Sequence, residues 1–323
     1  MSSRILDEMR DVMRRRHYSI RTERAYCDWV KRYALHFNMQ SRADLRDGER
    51  KIEEYLTFLA RDRNVAPSTQ NQALNALVFL YKHVLKQPLK DSINAERAAK
   101  KVKIPVVLTR DETKRIMNAL SGVHQLIVKL LYGSGLRIIE CLRLRVHDVD
   151  FGMNALTVRS GKGDKDRVTT FPPSLRSSLE SHLQRVKVMH ESDLANGYGE
   201  VYLPYALDRK YPNAGQQWQW QYVFPANSLS TDPRTGKRRR HHLDPSPVNK
   251  AIANAVRTAG VQKRVTAHTF RHSFATDLLR RGTDIRTIQS LLGHKDVQTT
   301  MIYTHVLQQG GEGVVSPLED LGV

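Results

Sequence analysis

The chain has 323 residues, with 52 Lys and Arg against 33 Asp and Glu, a formal charge of +19, and is 40% hydrophobic. That length favours two domains and that composition is globular. No apolar run reaches the roughly 20 residues of a membrane span, the start resembles no secretory signal, and Cys27 and Cys141 form neither a disulfide framework nor a metal knuckle. The excess charge is +7 over residues 1–100 and +12 over the remainder. It is therefore no detachable tail, and it suits a polyanion held from both halves of the chain. A reducing, cytoplasmic compartment is expected.

The first hundred residues read as helices. Tyr26, Trp29, Val30, Tyr33 and Phe37 recur at three- and four-residue spacing, as do Ile52, Tyr55, Leu56 and Leu59. Ser68 is the expected cap of a third helix carrying Leu74, Leu77, Leu80 and Tyr81. This predicts a small helical bundle over 1–85. Residues 86–104 are strongly basic and read as a linker, or as an extension of the preceding helix.

The remainder, 105–323, mixes helices with a small sheet. Thr109 and Glu112 form a capping box before Ile116, Ala119 and Leu120. An apolar stretch from Leu126 to Leu131 runs to Gly133-Ser134-Gly135, and a further helix is expected to carry Leu136, Ile139, Leu142 and Val146. Residues 155–158 and 167–171 are extended runs around GKGDKD, a β-hairpin pattern. Ser246 and Pro247 open a helix that Gly260 closes. Another starts at His268 with Phe270, Phe274 and Leu278, and the last runs from Asp284 to Gly293. The fold class is mainly α with a small antiparallel sheet in the second domain.

Four motifs belong together: GSGLR with Arg137 and then Glu140, Gly-Lys162-Gly, His268-Thr-Phe-Arg271-His272, and Leu-Gly-His294 followed nine residues later by Tyr303. Taken singly, each has a plain reading. Arg137 suits a helix start, His268 and Arg271 suit an interface, His294 a helix C-terminus, and Tyr303 a core position. In this order and spacing they resemble the tyrosine recombinases of the phage integrase family, and the resemblance covers nearly the whole chain. It implies a two-domain, C-shaped clamp that cuts and rejoins DNA through a 3′-phosphotyrosine with Tyr303 as nucleophile. It implies that Arg137 and Arg271 fork onto the phosphate, a role suited to a planar, permanently charged group. His268 is then the general base, His294 a hydrogen-bond donor and Lys162 the general acid, with no metal or other cofactor. Glu140, one turn after Arg137, is expected to hold that segment. His272 reads as structural, and Tyr132 is the competing tyrosine.

Residues 198–224 hold eight of the chain's 23 aromatic residues. The segment 189–225 resembles the extra helical insert of integron integrases, as do YGSGLRIIECLRLRV and the run from Asp232 to His242. That likeness implies recombination of gene cassettes between duplex sites and single-stranded sites folded into hairpins, whose bulged bases are read by stacking. Trp220, Pro233, His241 and His242 are the stacking candidates, beside Lys237, Arg238, Arg239 and Arg240 on phosphates. Arg159 stacks or grips phosphate. Tyr202 and Tyr205 are expected in the insert's own core. The tail, 308–323, resembles segments that dock on a neighbouring protomer in a tetramer around two DNA sites. The expected partners are thus DNA and further copies of the chain, in the bacterial nucleoid. A metal nuclease using His241, His242, His268 or His294 lacks acids at ligand spacing.

Overall fold

The computed structural model describes residues 3–89, 93, 95, 105–159, 166–203 and 207–309. The chain divides into two compact units, Met1–Lys103 and Ile104–Val323.

The first unit is helical: α1 (Ser3–Arg15), α2 (Ile20–His36), α3 (Gly48–Arg61) and α4 (Pro67–Phe79), the last continued by a π-helical turn, Leu80–Val84. Ser19 caps α2 by accepting the Thr22 N–H. Trp29, Val30 and Tyr33 of the α2 stripe are buried against Ile52, Tyr55, Leu56 and Leu59 of α3, while Tyr26 and Phe37 border that core. Full burial of a large apolar side chain contributes about 1.5–3 kcal/mol, so two such stripes dominate this unit's stability. The buried tyrosines satisfy their hydroxyls internally: Tyr33 and Tyr81 lie 3.2 Å apart, and Tyr81 donates to the Leu45 carbonyl at 2.8 Å. The expected Ser68 cap is corrected. Helix α4 opens on Pro67, whose fixed φ suits the first helical position and whose missing N–H has no helical partner to lose, and Ser68 lies inside the helix. Of the linker, Leu89, Ile93 and Ala95 pack on this core, while residues 90–92, 94 and 96–104 lie outside the described residues.

In the second unit, the Thr109–Glu112 capping box starts α5 (Arg110–Asn118). Helix α6 (Gly122–Ser134) is the central element, with Leu126, Ile127, Val128, Leu130 and Leu131 buried. Gly135 ends it at φ +62°, and a Cβ there would lie 2.5 Å from the Phe274 ring. Both the left-handed backbone and the close approach therefore require glycine. Helix α7 covers only Ile138–Leu142, shorter than the helix expected through Val146. The Val146 N–H bonds to the Gln221 carbonyl, and the Asp148 carboxylate accepts the Arg145 N–H. These bonds turn the chain into β1 (Val149–Asp150). It pairs antiparallel with β2 (Ala155–Val158), which pairs antiparallel with β3 (Arg167–Thr170). The hairpin tip, 160–165, lies outside the described residues.

Helix α8 (Arg176–Ala195) leads into the insert. Beyond α8 the insert is not a helical block. It holds the short α9 (Leu207–Lys210) and the 3-10 turns Ala214–Gln216 and Trp218–Trp220. It is held by a small satellite core of Val201, Leu203, Ala214 and Tyr222, with Leu207 and Trp220 packed against it. A two-stranded pair follows, β4 (Ser230–Thr231) with β5 (Arg238–Arg239). Helix α10 (Pro245–Thr258) is capped by Asp244, which accepts the Ser246 N–H; Ser246 itself is a first-turn residue. The last elements are α11 (Ala267–Arg280), α12 (Ile285–Leu292) and α13 (Gln298–Gln309). Phe274, Ala275, Ile288, Leu292 and Tyr303 form their shared core. No helix among the described residues is long and apolar enough to cross a membrane.

Candidate active site

The Gly135 turn delivers Arg137 to the start of α7. Glu140 accepts the Arg137 backbone N–H at 2.8 Å and its guanidinium at 2.7 Å. The same carboxylate is gripped from β3 by Arg167, through Nη1 at 3.0 Å and Nη2 at 2.6 Å, while Arg167 Nε donates to the Leu291 carbonyl at 2.9 Å. Gly293 sits at φ +64°, and a Cβ there would lie 2.7 Å from Arg167 Cδ. From α11, Arg271 is 3% exposed and donates to the carbonyls of Gly135 (2.5 Å) and Leu292 (2.6 Å), with Nη1 3.8 Å from Glu140. Three guanidiniums thus surround one carboxylate, leaving a surplus of positive charge. Burial, then the charge of Arg137, pulls Arg271 down to about 9. An anion placed here relieves that repulsion, and two forked guanidiniums suit the paired oxygens of a phosphate.

Burial pushes the Glu140 carboxyl up, but Arg167 and then Arg137 outweigh it and hold it at about 2. On α11, the rings of His268 and His272 are 6.4 Å apart. His272 Nδ1 lies 3.0 Å from Tyr303 Oη. The His294 ring stacks near Tyr303 at 6.3 Å, and its Nδ1 lies 2.9 Å from Thr300 Oγ1. Burial and neighbouring cations lower all three histidines, His272 and His294 to about 4. His272 and His294 are therefore neutral at neutral pH. Tyr303 is 1% exposed; burial raises its phenol, while Arg271 and Arg137 pull it the other way.

The structure brings together Arg137, Glu140, His268, Arg271, His294 and Tyr303; Lys162 lies outside the described residues. Two further residues join them. Arg167 is one, for which the sequence offers no signal beyond its place after the hairpin turn. His272 is the other, read from the sequence as structural: its imidazole lies at hydrogen-bond distance from the Tyr303 hydroxyl. Helical spacing from His268 is the signal that pointed there. Tyr132 is committed elsewhere, donating to Asp277, and is pushed up to about 12 by burial and that carboxylate.

The insert candidates divide into two groups. Arg240 is inward, paired through both nitrogens with Asp193 and donating to the Ala226 and Asn227 carbonyls at 2.8 Å. Arg239 is 12% exposed between Glu200 (2.6 Å) and Asp232 (3.7 Å). Both guanidiniums, largely withdrawn from water, have carboxylates beside them. Lys237 and Pro233 are exposed, and Arg238 is exposed over the Tyr198 ring. His241 and His242 pack 4.1 Å apart beside Tyr222, and burial holds His242 at about 4. Trp220 is half-buried edge-on to His147. Tyr202 is 44% exposed rather than in the core; Tyr205 lies outside the described residues. Arg159 is half exposed and held by Asp148 at 2.6 Å. Among the described residues, no three His, Cys, Asp or Glu side chains come together as metal ligands.

A mainly helical fold thus brings a buried phenol beside paired guanidiniums and imidazoles, a locus suited to the oxygens of a phosphate. The profile of the Phage integrase family matches residues 106–309, and that of the phage integrase N-terminal SAM-like domain matches residues 5–91. An integrase/recombinase of Escherichia coli is 48% identical over 320 residues, covering 99% of this chain and 94% of that protein. Tyrosine recombinase XerA of Thermococcus onnurineus is 33% identical over 264 residues, 80% of this chain and 79% of that one. Two structures share the fold. XerH recombinase bound to difH substrate has TM-score 0.60 and 20% identity, covering 96% of this chain and 84% of that chain. The Tn1549 transposon integrase with transposon right end DNA has TM-score 0.61 and 14% identity, covering 96% and 99%. The chain belongs to the phage integrase family and is a tyrosine site-specific recombinase of DNA.

Proposed function

We propose that this recombinase is an integron integrase, with Tyr303 attacking the scissile phosphate while Arg137 and Arg271 hold its non-bridging oxygens. Phosphoryl transfer is mainly positioning and charge stabilisation. The observation that carries the chemistry is the convergence of two guanidiniums, neutral imidazoles and one buried phenol around a single basic locus. Lys162 supplies the proton to the leaving 5′ oxygen. The 3′-phosphotyrosine conserves the bond, so rejoining requires no ATP.

The cassette-specific layer rests on the insert. Asp193, Glu200 and Asp232 fix Arg240 and Arg239, and that frame supports the exposed Pro233, Lys237 and Arg238 together with the His241–His242 pair. These present ring and cationic surfaces to bases extruded from a folded strand, each stacked base contributing about 1–3 kcal/mol. Residues 308–323 dock on the next protomer in a homotetramer on two DNA sites. The second reading is a phage-type or Xer-type recombinase of duplex sites alone, and a tyrosine recombinase XerA is among the relatives.

The test uses oligonucleotides tiling the DNA that flanks the gene, as nicked duplexes and as single strands folded into hairpins. A covalent adduct is expected at Tyr303, absent in Tyr303→Phe while DNA binding persists. Bottom-strand hairpins are expected to recombine far better than their top-strand complements. Equal use of both strands removes the folded-strand reading, and an adduct retained by Tyr303→Phe removes the nucleophile.

A further inference from the structure

His294 follows Gly293, whose left-handed backbone at φ +64° ends α12. Its carbonyl accepts Gln289 Nε2 at 3.1 Å and its N–H donates to the Gln289 carbonyl at 3.2 Å, so its backbone is fixed. The ring lies nearly parallel to that of Tyr303, 21° apart in plane at 6.3 Å. A third contact comes from α13, where Thr300 Oγ1 lies 2.9 Å from His294 Nδ1. Thr300 is 0% exposed and sits one helical turn before Tyr303, on the same face.

The direction of that bond follows from where the hydrogens can go. A buried hydroxyl must place its hydrogen on an acceptor. Among the described residues Thr300 Oγ1 has one hydrogen-bond partner, the His294 nitrogen, and reaches no carbonyl of its own helix. Thr304 differs, its hydroxyl donating to the Met301 carbonyl at 2.7 Å. Were Nδ1 protonated, the Thr300 hydrogen would have nowhere to go. Thr300 therefore donates, Nδ1 accepts, and the single proton of the neutral ring sits on Nε2. Burial, with Arg271 and then Arg137 adding to it, keeps that ring neutral. Among the described residues nothing takes the Nε2–H, which leaves it for an incoming oxygen.

Resting on His294 as a donor to the phosphate beside Tyr303, we propose that Thr300 is a positioning residue: its hydroxyl fixes the His294 ring proton on Nε2, the nitrogen that donates to a phosphate oxygen. The same bond links donor to nucleophile. Thr300 and Tyr303 share α13, whereas His294 follows α12, so His294 is oriented only while the helix carrying the phenol is seated on α12.

The test has two arms, both on the full chain. With histidine labelled by nitrogen-15, and the His294 signals assigned by their loss in His294→Phe, the parent is expected to show a neutral ring protonated on Nε2. A ring protonated on Nδ1 overturns the proposal. The second arm is single-turnover cleavage of the oligonucleotide giving the strongest Tyr303 adduct in the tiling screen. Thr300→Val is expected to cleave about tenfold more slowly, the size of one hydrogen bond, with DNA binding unchanged. Thr300→Ser, which keeps the hydroxyl, is expected to cleave within about twofold of the parent. In a His294→Phe background Thr300→Val is expected to change the rate by less than about twofold, because its effect passes through the imidazole. Thr300→Val within about twofold of the parent, a serine no better than valine, or an undiminished loss in the His294→Phe background overturns the proposal. Should Thr300→Val fail to fold, Thr300→Ala takes its place in the same cycle. His294→Phe cleaving like the parent overturns instead the reading of His294 as a phosphate donor, and an adduct formed elsewhere than Tyr303 overturns the nucleophile, so the failures are distinguishable.

Discussion

Arg167 offers the sharpest check on how the arginine cluster is held. Its guanidinium and the Glu140 carboxylate are each 9% exposed. Arg167 makes three hydrogen bonds, two to Glu140 and one to the Leu291 carbonyl, so it ties β3 to α7 and to the end of α12. Replacing it with lysine keeps the charge but gives a single ammonium that cannot span the three acceptors. With hydrogen bonds to charged groups contributing about 1.5–3 kcal/mol each, and two of the three recovered by lysine, Arg167→Lys is expected to lose about 1.5–3 kcal/mol. Arg167→Met strands a buried carboxylate and is expected to lose about 3–5 kcal/mol. Glu140→Gln, added to Arg167→Met, should return part of that loss because the stranded charge is gone. The pH dependence follows. A carboxyl held at about 2 in the folded chain, below its ordinary value, stabilises the fold above about pH 4.5. That contribution, about 3 kcal/mol, is lost as pH falls from there towards 2. In Arg167→Met the carboxyl keeps Arg137 but loses its largest downward pull against burial, so acid destabilisation should begin at higher pH. Urea unfolding across pH 3–7, monitored alongside cleavage, reads both effects. Arg167→Met within about 1 kcal/mol of the parent, with an unshifted acid limb, would falsify the account of the cluster.

Gly135→Ala is expected to lose about 2–4 kcal/mol, from the left-handed backbone and from contact with the Phe274 ring, and to slow cleavage by displacing the carbonyl that Arg271 uses. Thermal melting and single-turnover cleavage measure the two parts. Burial, the first cause at each, holds His242, His272 and His294 at about 4. Their folded values lie below the unfolded one, so their contribution is whole above about pH 6.5 and fades as pH drops towards 4. Allowing for partial exposure, each should lose on the order of 2–3 kcal/mol over that window, a broad acid transition that tryptophan fluorescence can follow. On the insert, Arg240→Met should destabilise and raise protease sensitivity near Asp193. Arg238→Ala should leave stability unchanged, and should lower the salt slope of DNA binding by about one if Arg238 meets a phosphate; an unchanged slope removes that contact.

The parts of the fold legible in the sequence are those written in local periods. The α2 and α3 stripes, the Thr109–Glu112 box and the Asp284–Gly293 helix each depend on residues a few positions apart, and the described structure has them. Where a distant partner decides, the sequence is silent. Helix α7 stops at Leu142, and the chain beyond it is drawn by Gln221, some 75 residues on, into a turn that no local pattern foretells. The same asymmetry governs charge. Arg137, Arg239 and Arg240 are one residue type in two stretches of the chain, and what each can do depends on how the fold has already committed it. Asp193 and Glu200 take two of them into the insert's frame, whereas Glu140, itself occupied by Arg167, leaves Arg137 23% exposed beside the buried Arg271. Glu140 therefore acts narrowly, since one carboxylate shared among three guanidiniums orients the cations without neutralising them. Removing Arg167 would leave two guanidiniums on one carboxylate, halving the surplus charge that draws a phosphate to them.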